Sequence, residues 1–74
     1  MTTVDFRVRK VFKKVFETEG VEVLKRKISP EWDSLKHIEL ILELEDEFAI
    51  EFTNSASSEI CDFDSCVKTV LGTI

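Results

Sequence analysis

Seventy-four residues, with ten Lys/Arg against fifteen Asp/Glu, describe one small acidic domain whose marginal core must come from regular packing. No basic segment followed by an apolar run opens the chain, and no stretch approaches the ~20 apolar residues of a membrane span, so a soluble, cytoplasmic protein is expected. The net charge of −5 is uneven: residues 1–36 sum to +3 and residues 37–74 to −8, an acidic half that would repel nucleic-acid phosphates and attract basic protein surfaces.

Apolar residues recur at helical spacing, not in alternation, which points to an all-α chain of four helices. In the first, predicted over about Thr3–Glu19, Val4, Val8, Val11, Phe12, Val15 and Phe16 form one stripe. Thr2 and Asp5 fit a capping box at its start, and Gly20 suits a left-handed stop at its end. Arg7, Arg9, Lys10, Lys13 and Lys14 make a basic face, read as solvated.

A long connection follows, from Gly20 to Trp32. Val21, Val23, Leu24 and Ile28 are expected to fold back on the core, with Lys25-Arg26-Lys27 as an exposed turn. Pro30 biases Ser29 towards extended backbone, and Trp32 is expected to pack beneath the loop near Ser34.

The second helix is predicted over Ser34–Ala49 with Asp33 as its cap. Leu40, Ile41, Leu44 and Phe48 share one side, taken as the core face. Leu35 and Leu42 lie well round from them, beside Glu39 and Asp46, on a mixed face that makes a candidate docking surface. Glu45 falls close to the apolar sector and has no explanation on an ideal wheel. His37 points to the core side and is read as a partly buried, hydrogen-bonded side chain. Ser34 stands at the start of this helix, where free N–H groups and the macrodipole favour negative charge, a good place to carry a phosphodiester.

Thr53 to Ser58 is rich in caps and turn formers, and a short third helix is expected over about Ser55–Ile60. Asp62 caps the last, in which Phe63, Cys66, Val67, Val70, Leu71 and Ile74 keep helical spacing. A disulfide between Cys61 and Cys66 would close a tiny loop, and two cysteines with His37 fall short of a structural zinc set. Both are therefore expected as small buried apolar residues, and no metal site is assigned.

The triplet Asp33-Ser34-Leu35 at a helix start midway along the chain, followed by E-L-x-x-x-L-E-x-E-F over Glu39–Phe48, resembles the acyl carrier protein family. The helix order agrees over nearly the whole chain. The resemblance implies a single four-helix bundle of acyl-carrier type over residues 1–74, with a short third helix. It implies a 4'-phosphopantetheine arm attached covalently to Ser34, with Asp33 and Leu35 beside it. It implies partner contacts through Leu35, Ile38, Glu39, Leu42, Glu45 and Asp46, with Glu51 as a further acidic candidate. The implied partners are a phosphopantetheinyl transferase and the enzymes, with basic docking patches, that load and process acyl or aminoacyl groups held as thioesters. Exchange among such enzymes fits a monomer.

The chain departs from many carriers in having Glu31-Trp32 before the triplet and Lys36-His37 after it. These departures leave the pathway open between fatty acid, polyketide and another specialised synthesis. Ser34 and His37 lie three apart and could meet on a helix, but so small a chain supplies no substrate pocket or oxyanion hole. No catalytic residue is assigned, and the chain is not read as an enzyme. Set apart from the resemblance, the same features describe a small acidic helical interaction module without a prosthetic group, in which Ser34 only helps cap its helix.

Overall fold

The computed structural model describes residues 3–74, excluding the side chain of Thr3. The elements run in the order α1 (Thr3–Phe16), a 3₁₀ turn (Val21–Val23), α2 (Ser34–Phe48), α3 (Asn54–Glu59) and α4 (Phe63–Thr73). Among the described residues no helix is long and apolar enough to cross a membrane. The capping box expected from Thr2 lies outside them.

Phe12 is the hub of the core. Its ring meets Trp32 and Phe63 edge-on at 5.5 Å, and Phe16 at 5.6 Å. Such edge-to-face pairs add to the gain from burial alone. Val8, Val11 and Val15 continue the stripe along α1, Leu40 and Leu44 meet it from α2, and Cys66 and Val70 from α4. The expected core face of α2 is thus the observed one, with Ile41 and Phe48 packed at its margin.

Ion pairs set α1 and α2 antiparallel. Near one end Arg7 Nε donates to Glu47 Oε2 at 2.7 Å, with its guanidinium 4.4 Å above the Phe48 ring. Further along, Lys14 Nζ meets Glu43 at 3.0 Å. At the other end Lys36 Nζ donates to the Val15 carbonyl at 3.1 Å, satisfying an acceptor in the last turn of α1. The basic face of α1 is therefore not simply solvated. Arg9 also pairs with Glu22 and lies over the Phe63 ring, and Lys13 pairs with Glu19.

α1 stops three residues short of the expected end. Glu17 takes the left-handed conformation at φ 53°, and its N–H bonds the Lys13 carbonyl at 2.8 Å. Gly20, expected to provide that stop, has φ −90°. The early stop lets the chain reverse in time to bury Val21 fully. A non-glycine residue in this region is strained by about 1–2 kcal/mol, so burial of Val21 outweighs local preference here.

The connection delivers Val21 and Leu24 to the core but leaves Val23 and Ile28 in solvent. Two features explain this. The 3₁₀ turn projects Val21 and Val23 in different directions. The Lys25–Asp62 bridge, with the Arg26 N–H on the Cys61 carbonyl at 2.8 Å, then pins the chain edge-on beside the start of α4. At the C-terminus Leu71 and Ile74 are likewise exposed, so the apolar stripe of α4 stops contributing after Val70. Cys61 is exposed as well, whereas Cys66 is buried and burial pushes its thiol up to about 12.

The helix caps follow sequence chemistry. Thr53 Oγ1 accepts from the Ala56 N–H at 3.0 Å, starting α3 one residue before the expected position. Asp62 and Ser65 form a reciprocal capping box at α4.

Candidate functional site

Asp33 has extended backbone and its carboxylate accepts from the Lys36 N–H at 2.9 Å, while its carbonyl accepts from the His37 N–H at 2.9 Å. This is an N-cap in full, and it makes Ser34 the first residue of α2. Ser34 and Leu35 are exposed, as is Asp33. Because Asp33 satisfies one of the first-turn donors, the rest of that turn is open to an acceptor placed on the neighbouring serine.

Beneath this junction the loop is locked. Trp32, 2% exposed, packs against Phe16 at 5.0 Å and Phe12, as expected of a residue under the Ser34 loop. Its indole Nε1–H donates to His37 Nδ1 at 3.1 Å. The other ring nitrogen, Nε2, meets the Ser57 carbonyl at 3.1 Å. An indole N–H can only donate, so Nδ1 carries the lone pair and Nε2 the proton, which it donates to Ser57. Burial, then the charge of Arg26, hold the imidazole below its ordinary value of 6.5, against the pull of the Ser57 bond. His37 is thus a neutral structural bridge, buried as expected.

Beyond Ser34 the outward side of α2 is apolar with an acidic border. Leu35, Ile38 and Leu42 are 73%, 56% and 60% exposed. They lie about one turn apart and face away from Leu40 and Leu44, so burial in this molecule does not account for them. The acids proposed to border them have different surroundings. Asp46 and Glu51 stand in solvent. Glu39 is exposed and lies 3.5 Å from Lys36 Nζ. Glu45 is partly buried and accepts from the Phe52 N–H at 2.9 Å, closing the α2–α3 connection. That bond supplies the explanation the helical wheel could not. Glu45 has a structural task, while Asp46 is fully available to a visitor.

Four contributors escaped the sequence reading. Lys36, Glu43 and Glu47 clamp α2 against α1; the signal for the two glutamates was the opposite charge at Arg7 and Lys14, seven residues apart on α1, whereas Lys36 reaches a backbone carbonyl. Ser57 carries the polar contact from α3 to His37, and nothing in its local sequence marks it.

An open cavity of about 430 Å³ lies elsewhere, between Lys25–Ile28 and the segment from Ser58 to Asp62. Neither Ser34 nor the exposed leucines line it. Among the described residues no group of three or more His, Cys, Asp or Glu side chains is placed to hold a metal ion.

No family model matches this chain, and no curated protein matches it significantly.

Proposed function

We propose that the chain is a carrier protein that bears a 4'-phosphopantetheine arm on Ser34 and presents acyl or aminoacyl groups to partner enzymes. The observation that carries this reading is the exposed Ser34 as first residue of a capped helix. A hydroxyl there is accessible to a transferase, and a phosphodiester formed on it meets the favourable end of the helix dipole. The residues around it are compatible with the group: Asp33 is engaged in its capping bond, and Lys36 bonds the Val15 carbonyl and Glu39.

The arm supplies a terminal thiol on a flexible tether that holds cargo as a thioester. The chain's own residues do the rest without catalysing a reaction. Asp33 fixes the start of α2, Trp32 and His37 hold the loop beneath it, and Leu35, Ile38 and Leu42 offer apolar contact. Asp46 and Glu39 favour a partner with basic residues, and their attraction makes the encounter sensitive to salt. Tethering raises the effective concentration of cargo at whichever partner has docked.

The test is intact mass after incubation with coenzyme A and a broad-specificity phosphopantetheinyl transferase. One phosphopantetheine per chain is expected, and none on Ser34→Ala. A wild-type chain left unmodified by several transferases would transfer support to an acidic helical interaction module with no arm.

A further inference from the structure

α3 is the least embedded helix of the molecule. None of its six residues is buried. Its start is held by its own cap, Thr53, and its end by the buried Ile60. Between these points the polar contact to α2 is the bond from His37 Nε2 to the Ser57 carbonyl, with Ser57 Oγ 3.4 Å from the same nitrogen. The opposite edge of the same imidazole receives the Trp32 indole, and the two rings stack at 25° with centroids 6.2 Å apart. One side chain therefore joins three segments: the loop before Ser34, the first turns of α2, and α3.

The hydrogen-bond chain has a fixed direction. Trp32 donates to His37, and His37 donates to Ser57. A second proton on the ring can enter only at Nδ1, which is where the indole N–H already points. Protonation would set two donors face to face at 3.1 Å, an arrangement that cannot persist. The charged groups around the ring offer no relief. Arg26, from the loop, is the charged side chain whose field reaches it, and it repels an imidazolium. Phe12 and Phe16 of α1, which pack on Trp32, are apolar, and the Ser57 carbonyl of α3 favours the imidazolium only through the Nε2 bond, which protonation at Nδ1 leaves in place.

We infer that His37 is a proton-operated latch on the loop before Ser34: neutral, it holds the Trp32 indole through Nδ1; protonated there, it releases the indole while keeping its Nε2 bond to Ser57, and the helices stay packed. The inference rests on the fold alone and holds whether or not Ser34 is ever modified. Its driving force is the clash of two N–H donors at Nδ1, where the indole loses its acceptor.

The experiment is an NMR titration of the whole chain from pH 7.5 to 5, following the single Trp32 indole proton, the His37 ring and the backbone amides. The indole resonance, the ring and the amides of Trp32 and Asp33 are expected to move with one midpoint, below 6.5. Exchange of the indole N–H and the Trp32 amide, relative to intrinsic rates, should then accelerate by up to about tenfold, with the helices unchanged. His37→Gln retains a donor and an acceptor but cannot titrate, and should abolish the transition. Arg26→Gln, which removes the repelling charge, should move the midpoint upward. Any of three results would overturn the latch: His37 titrating while the indole stays still, the transition persisting in His37→Gln, or all four helices changing together.

Discussion

α1 and α3 join the molecule in opposite ways. α1 buries five apolar side chains and adds ion pairs to α2 and to the 3₁₀ turn. α3 buries none, packs against α4 and is tied to α2 by one imidazole. Stability is therefore concentrated in α1, α2 and α4, and α3 is a helix that can respond without the bundle failing. That division also places Ser34 at a boundary. Its helix belongs to the rigid part, while the loop before it shares His37 with the loose one.

The contrast is sharpest for truncation. Phe12→Ala should cost about 3–5 kcal/mol in denaturant unfolding, because three aromatic rings meet the Phe12 ring. A loss under ~1 kcal/mol would show that the core is not organised around Phe12. Loss of caps divides the same way. Asp62→Ala, at the start of α4, should lower global stability by about 1 kcal/mol. Thr53→Ala should instead appear as faster amide exchange within α3, with the melting temperature nearly unchanged. An equal shift in melting temperature for both would erase the distinction between the two helices.

Acid should act on the rigid part through its carboxylates. Hydrogen bonds from Arg7 hold Glu47 below its ordinary 4.5, and bonds from the Ser65 backbone and side chain hold Asp62 below 3.8. Their contributions are complete above those ordinary values and disappear as pH falls through the lower folded ones. Stability measured from pH 5 to 2 should therefore decline, and Glu47→Gln should flatten part of the decline. The smallest effect is expected at Ala49, which ends α2 in the left-handed region at φ 55°. Ala49→Gly should stabilise by about 0.5 kcal/mol, since glycine enters that region without a Cβ clash. On the docking side, Asp46→Lys should slow cargo transfer by partner enzymes and leave melting unchanged, because the side chain stands in solvent.

Most of the fold was legible because helices announce themselves by period and caps. Asp33, Asp62 and the stripe of α1 were read from sequence and stand where expected. The errors came where tertiary geometry overrules local pattern. Gly20 looks like a stop, yet the chain turns at Glu17 to bury Val21. Val23, Ile28, Leu71 and Ile74 are apolar but exposed, because hydrophobicity alone does not say which residues of a loop or a final turn can reach a core. The candidate site was legible in its outline, in Ser34 and the outward leucines. Its wiring was not: the Glu45–Phe52 bond, the pull of Lys36 to Val15 and the chain from Trp32 to Ser57 all join residues whose meeting depends on the folded path.

The carrier reading stands most directly on where an arm attaches. Peptide mapping of transferase-treated protein should place phosphopantetheine on the peptide holding Asp33-Ser34-Leu35 and nowhere else. An adduct on any other serine, or a chain that accepts none, would contradict it.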